Sequence, residues 1–573
     1  MYFRIKVPKR SRTRRGPQYV SASTQGITIA FSGPTKSSVA AGLTPSSPGC
    51  VSGLQSTVCS LVYKLKPGKY AATIVTYDAV SCTTSCTIPP GAKALSTAQS
   101  VPFTVKAGAA NKIDLILSAI PAAYSLVPMT SDSVINAGHG IDLLGTALHK
   151  IAVEALDPDG NVIFGAGSPT YTVSQTAGSL AVTLGQPAAA SPNVFTVAPP
   201  AAYSASTATV AVTASYAGQA TDGCAQTGAV CTTSIVFDMK ELLAVASTFG
   251  NTVDIFSVGD TQPYASISFG VAHPTAVTFD ASGDLLVANC LQGCTNTTSV
   301  DNIAVFAPPY SGVPAFVTTG VYGPQSLLIS AGGNLFVGNC LSCRLGGTDS
   351  VTEYAPPFTN GSTPIATANN GVADPVSLAL DPSGNLWVAD CASCSGLSGD
   401  SVTSYASPYT GAPTHTLFRN VNVPVSIAVD ASANVFVANQ GGTPNVTGFV
   451  APLYTDSSNP AVMTTITSIA GYTLGGPVAV SASGSNVFIA DNGGALLECG
   501  PPFAIGGGSP NCGSNAIAAT SGLTTPNSMV LDTSQNAFVG DGSTGFVVEL
   551  PPPYSTNTNL NPSNTPNAMA VLP

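Results

Sequence analysis

Charge is what this 573-residue chain has least of: 8% of its residues are Asp, Glu, Lys or Arg, against about 25% in an ordinary soluble protein. Tryptophan occurs once, histidine four times and methionine six times. Charge-driven disorder is excluded, because the apolar fraction is a normal 44% and apolar residues recur at short intervals. Long apolar runs are missing too. Mean hydropathy is +0.31, yet no window of about 18 residues is continuously apolar; the best, Ile113 to Val127, contains Asp114, Ser118 and Pro121. A helical membrane bundle is therefore excluded. His139, His149, His273 and His415 do not pair with one another or with an acid at metal-ligand spacing, and neither H-E-x-x-H nor G-x-S-x-G occurs. What remains is a folded protein with a surface of Ser, Thr, Asn and Gly, long enough for more than one domain.

The net charge of -10 hides an asymmetry, since seven of the 18 basic residues (Arg4, Lys6, Lys9, Arg10, Arg12, Arg14, Arg15) lie in the first fifteen positions. Residues 1–19 read as a basic, solvated, flexible arm. The remaining body is acidic and would repel a phosphate backbone, so no nucleic-acid partner is expected. All 14 cysteines fall into close pairs: Cys50/Cys59, Cys82/Cys86, Cys224/Cys231, Cys290/Cys294, Cys340/Cys343, Cys391/Cys394 and Cys499/Cys512. Local pairing with no leftover is the mark of disulfides made in an oxidising compartment. Zinc is the rival reading, but the C-x-x-C pairs stand about fifty residues apart with no His nearby. The expected location is thus extracytoplasmic, secreted or in the cell envelope. No apolar h-region follows the arm, which implies a processed chain or a start codon placed too far downstream.

From Pro274 one pattern is written repeatedly, starting again at Pro324, Pro375, Pro424, Pro477 and Pro526, at intervals of 49 to 53 residues. Each unit reads as four short strands. The first alternates, as in Val425, Ile427 and Val429. A turn follows, such as Asp381-Pro-Ser-Gly-Asn385, in which Asp accepts backbone hydrogen bonds and Gly supplies a positive φ. The second strand is an apolar run closed by a short polar residue: Asn289, Asn339, Asp390, Asn439, Asp491 and Asp541. The third ends at a proline turn, as in Tyr354-Ala-Pro-Pro-Phe358. Four strands in about fifty residues, repeated, predict a β-propeller. The segment 566–571 matches only a first strand, whereas Leu242 to Ser247 and Thr252 to Phe256 match only a second and third. The two chain regions should complete one blade, giving seven blades, or six if the Pro526 unit is degenerate. Closure of this kind removes exposed sheet edges.

The P-x-x-hydrophobic-A-x-D-x-x-G-N-hydrophobic-hydrophobic-V-A-[ND] pattern resembles the NHL repeat and its relatives among SMP-30/gluconolactonase-like and streptogramin-lyase-like propellers, over residues 242 to 573. That resemblance implies fold far more than function, because such propellers include scaffolds, ligand binders, calcium-dependent lactonases and lyases. The first half keeps the β vocabulary without the repeat. Leu65 to Asp78 resembles a late hairpin of prealbumin-like or Ig-like sandwiches, and Ile151 to Phe164 resembles bacterial Ig-like domains of the invasin type. The Asp157-Pro-Asp-Gly-Asn161 cluster lacks the later ligands of a calcium loop and reads as a tight turn. The expected architecture is all-β: an arm (1–19), two sandwiches (20–120 and 121–238) and a propeller (239–573).

The recurring residues Asn289, Asn339, Asp390, Asn439, Asp491 and Asp541, with Ser247 in the composite blade, are the candidate site. A ring of carboxylates and amides suits calcium or sugar hydroxyls. It equally suits capping of the backbone amides in the following loop, and repetition favours the capping role, because an active site needs different groups in different blades. Streptogramin-lyase-like activity would imply a His and Glu pair, which is not found; Glu353, Glu498 and Glu549 sit in third strands. The expectation is a non-enzymatic binding or structural protein without a cofactor, its Ig-like modules a stalk and its propeller face open to a protein or glycan. The alternative is a calcium-dependent lactonase-type hydrolase or lyase using the ring.

Overall fold

A computed structural model describes residues 2–8, 21, 23–53, 56–108, 111, 117–130, 132–136, 140–145, 147–158, 160, 162–163, 168–200, 206–216, 224, 229–291, 301–341, 348–396, 398–451, 463–503, 512 and 516–572. Among them there is no α-helix, and a 3-10 turn spans Ala392–Ser395. Among the described residues no helix is long and apolar enough to cross a membrane. The chain divides into two compact units, one made mostly from the first 238 residues and the other mostly from Met239 onward.

In the first unit, Tyr2–Pro8, Ser56–Val62 and Cys50–Ser52 form a three-stranded sheet, and Ala94–Val105, Gly68–Tyr77, Gly26–Ser32 and Ser37–Gly42 belong to a five-stranded one. Both contribute to one apolar core containing Phe3, Val7, Ile29, Phe31, Leu61 and Ile74. The start of the expected arm is thus corrected. Residues 2–8 pair antiparallel with Ser56–Val62, from Tyr2↔Val62 to Pro8↔Ser56. Phe3, Ile5 and Val7 alternate with Arg4 and Lys6, and that period of two places the apolar residues on the core side. The charge count sees only the basic residues between them. Further along, Ala123–Pro128, His149–Leu156, Val194–Ala198 and Thr183–Gly185 make a four-stranded sheet beside a second five-stranded one. Phe195 and Phe237 meet edge to face between these sheets, 6.3 Å apart.

The second unit has the β-propeller fold. Its described residues contain seven four-stranded antiparallel sheets, six of them opening with Pro274–Phe279, Pro324–Ile329, Pro375–Leu380, Pro424–Val429, Pro477–Ser483 and Pro526–Leu531. These first strands touch their neighbours in sequence, and Ala568–Leu572 lies between the last and the first, so the ring closes. The closing sheet pairs Leu242–Ser247 with Ala568–Leu572, from Leu242↔Leu572 to Ala246↔Ala568. Second strands are buried throughout, with both faces covered by neighbouring sheets. That is why they read as unbroken apolar runs where the first strands alternate. In every repeat the opening proline stands opposite the polar residue ending the second strand, and a register shift follows it. Proline has no N–H to give the ladder, so the irregularity falls there.

The turns behave as expected. Asp381 Oδ1 accepts the amides of Ser383 and Asn385, and Gly384 takes φ +82. After the proline turn an aromatic residue folds back to cap the turn of its own sheet: the hydroxyls of Tyr310, Tyr409 and Tyr554 donate to the carbonyls of Gly283, Gly384 and Gln535. The rings of Tyr409, Phe503 and Tyr554 also meet Phe336, Phe436 and Phe488 of the preceding sheet, at 5.1, 4.9 and 5.9 Å. Disulfides join Cys50–Cys59, Cys82–Cys86, Cys224–Cys231, Cys391–Cys394 and Cys499–Cys512. Cys290 and Cys340 are disulfide-bonded as well; Cys294 and Cys343 lie outside the described residues.

Candidate functional site

The antiparallel pairing of first and second strands carries the ring residues to the same end of six sheets. All six side chains are buried, none more than 1% exposed. Each is occupied by the chain that enters its own sheet. Oδ1 of Asn289, Asn339, Asp390 and Asn439 accepts the amides of Ala272, Tyr322, Ala373 and Asn422, in each case seventeen residues upstream, at 2.9 to 3.1 Å. Asp491 Oδ2 accepts the amides of Gly475 and Gly476 at 3.0 Å, and Asp541 Oδ2 accepts those of Thr524 and Thr525. The remaining atoms are engaged as well. Asn289 Nδ2 donates to Gly270 O and Asn302 Oδ1; Asn339 Nδ2 and Asn439 Nδ2 donate to the hydroxyls of Thr352 and Thr447; Asp390 Oδ2 accepts the hydroxyl of Thr403 at 2.7 Å. In the composite sheet Ser247 Oγ accepts the amide of Gly250, and Asn567 Oδ1 accepts that of Thr248.

Capping is therefore what these groups do, with a change of address. The amides they satisfy belong chiefly to the loop before the first strand; Asp491 and Asp541 also reach forward, to Gly493 and to Ser543 and Thr544, as Ser247 does to Gly250. The ring oxygens accept N–H and O–H donors in separate sheets, and among the described residues no three His, Cys, Asp or Glu side chains are grouped to hold a metal ion.

A second set of clamps was not legible in the repeat. Oxygens of Asn251, Asp301, Asp349 and Asp400, all after a second strand, accept the amides of His273, Gly323, Asp374 and Val423 at 2.6 to 2.7 Å. Each donor is the residue before the next unit's proline, and each has a positive φ of 46 to 55°. The bonds tie one sheet to the next. Further bonds cross the same junctions, the hydroxyls of Thr248, Thr275 and Ser326 donating to the carbonyls of Pro274, Pro324 and Pro375.

Carboxylates gather around two of these junctions, Asp349–Asp374 and Asp400–Val423. Asp374 Oδ2 accepts the hydroxyl of Ser395, and Asp400 accepts both the amide and the hydroxyl of Ser393, so the Cys391–Cys394 loop is pinned between them. Burial, foremost, and the neighbouring Asp349 and Asp374 carboxylates push Asp390 up to about 8, against the pull of Thr403 and the Ala373 amide. Asp374 is raised by its burial and by Asp349 and Asp400. Asp541 goes the other way, because the amides around it outweigh its burial. The two environments thus push in opposite directions, through deeper burial and like charges at Asp390 and more donors at Asp541.

The histidines are placed apart. His415 stacks on Trp387, centroids 5.9 Å apart, and His273 is the loop residue before Pro274; His139 lies outside the described residues. His149 does meet an acid, which its sequence position did not show: Nδ1 lies 3.2 Å from Asp132 Oδ1 and 2.9 Å from Ser133 Oγ. All three are buried, and both neighbours address the same ring nitrogen, so no relay from acid through imidazole to hydroxyl exists.

No protein-family model matches the chain, and no curated protein matches it. Solved structures with a similar chain path include a functionally unknown protein from Desulfotomaculum acetoxidans (TM-score 0.42, 13% identity, 58% of this chain and 98% of that one). A Bacteroides fragilis protein provisionally named a 6-phosphogluconolactonase matches with TM-score 0.42, 14% identity and the same coverages. A virginiamycin B lyase from Staphylococcus aureus matches with TM-score 0.36 and 10% identity, over 52% of this chain and 87% of that one. At such identities neither activity nor substrate follows.

Proposed function

We propose that this chain is a non-enzymatic, extracytoplasmic binding or structural protein, a seven-bladed NHL-like propeller whose Ig-like N-terminal modules serve as a stalk. The observation that supports it is the occupancy of the ring: the groups best suited to chemistry are buried and bonded to their own sheets. Recognition then falls to the loops between second and third strands. Cys290, Cys340 and Cys391 anchor three of these loops in consecutive units, and the exposed Phe249 and Tyr322 stand on loops at the same end. Aromatic rings and uncharged polar groups on a chain of net charge -10 suit a protein or glycan surface and repel nucleic acid. The bonded cysteines fit an oxidising compartment.

Calorimetric titration with calcium and a lactone-hydrolysis screen on the full chain test this reading. The expected result is no calcium binding that depends on the ring and no turnover. Tight binding lost in both Asp390→Ala and Asp491→Ala, together with turnover, would replace it by the hydrolase reading.

A further inference from the structure

In five of the six repeats an asparagine at the start of the second strand donates to a carboxylate. Asn385, Asn434 and Asn536 donate their side-chain amides to Asp381, Asp430 and Asp532, and Asn334 and Asn486 donate to Glu353 and Glu498, at 2.6 to 2.8 Å. Each pair sets an amide against a carboxylate. In the closing sheet Leu242 holds this position, opposite Leu572 as Asn486 is opposite Ser483, so no amide is supplied there, and Glu241 is the residue before it. The Glu241 side chain is fully buried, and neither carboxylate oxygen has a hydrogen-bond partner. The charged group facing it is Asp532, in the turn of the adjacent sheet, which also opposes Glu549. Only the Thr533 amide favours a charge there. The other end of the seam is well bonded: the amide and hydroxyl of Ser563 donate to Asp254, and the Asn567 amide donates to Ala246 O.

We propose that Glu241 is a proton-operated latch on the closing sheet. With a proton it is a neutral side chain packed at the seam, and Ala568–Leu572 seats against Leu242–Ser247. Without it, an uncompensated charge is buried against another carboxylate, and that end of the seam loosens. The direction agrees with its burial and with Asp532, which push Glu241 up to about 8 from an ordinary 4.5. A proton held to about pH 8 in the closed seam and to about 4.5 in the open one raises the opening constant up to about a hundredfold between pH 6 and pH 9.

Hydrogen exchange of the full chain at those two pH values, normalised to intrinsic rates, tests this. The expected result is a selective loss of protection in 242–246 and 568–572, greatest at Leu242 and Leu572, which Glu241→Gln abolishes. Equal change in all sheets, or the same selective loss in Glu241→Gln, overturns the proposal. Should that variant fail to fold, infrared spectra in an Asp390→Asn background decide: a buried carboxylic-acid band lost with a midpoint near pH 8 supports the latch, and its absence at pH 6 refutes it.

Discussion

Asp390→Asn should stabilise the propeller, although it removes a buried carboxylate with two hydrogen bonds. Asn already fills the same position in three other sheets, where Oδ1 accepts the same upstream amide and Nδ2 of Asn339 and Asn439 meets a threonine hydroxyl. In the variant Oδ1 keeps the Ala373 amide, and the Thr403 hydroxyl turns from donor to acceptor. Burial, foremost, raises Asp390 from 3.8 to about 8, so between those values the folded state binds a proton that the unfolded chain has released. The penalty is absent below pH 4 and grows as pH rises towards 8. At pH 7 its ceiling is about 4 kcal/mol, and at pH 4 it is under about 1 kcal/mol. The assay is built into the chain: Trp387 is its only tryptophan, buried three residues before Asp390. Urea unfolding followed by its fluorescence should show the variant's advantage rising from pH 4 to pH 7. A variant less stable than wild type at pH 7, or an advantage that does not depend on pH, would refute the reasoning.

Asp254→Ala removes the acceptor of the Ser563 amide and of the Ser563 and Ser266 hydroxyls; at about 1.5 to 3 kcal/mol per charged hydrogen bond, less than additive, it should cost about 3 kcal/mol and make the last strand sensitive to limited proteolysis. Ala433 and Gln535 hold the positive-φ turn position that Gly384 fills elsewhere, at φ 64 and 65°. Changing either to Gly relieves a conformation costing about 1 to 2 kcal/mol, partly offset by the freedom Gly adds to the unfolded chain, so thermal denaturation should show a gain of up to about 1 kcal/mol. Thiol titration of the denatured chain should find no reactive cysteine without reductant and 14 after reduction; a full count without reductant would remove the case for an oxidising compartment.

The fold was legible where one local signal repeats. The turn Asp, the apolar second strand and the opening proline each act within a few residues, so a fifty-residue period exposes them, and the strand missing near Leu242 is the strand supplied by 566–571. The capping partners of the ring were one step further away. They follow once Pro274 is set opposite Asn289, because the loop two residues before the proline then lies beside the Asn side chain. Segment 2–8 was misread for a different reason: counting charge ignores that Phe3, Ile5 and Val7 share one face.

The clamps between sheets were hidden because each donor lies in the next unit, although Asn251, Asp301, Asp349 and Asp400 all stand directly before a third strand. Asp301, Asp349 and Asp400 lie 22, 25 and 23 residues before their partners, in second-to-third-strand connections of unequal length. With Asn251 they hold the positive-φ residue before four of the six opening prolines, at junctions between successive sheets. This also changes how the low charge content should be understood. Few acids are present, but several are buried at seams, where a carboxylate with two acceptor oxygens can satisfy more amides at once than an amide side chain with one. The same economy carries a hazard, since a buried acid without such donors must keep its proton. Asp541, ringed by amides, holds its charge; Asp390 with two donors and Glu241 with none bonded hold protons instead. Burial foremost, offset by the donors that reach each acid, therefore sets where this protein responds to pH.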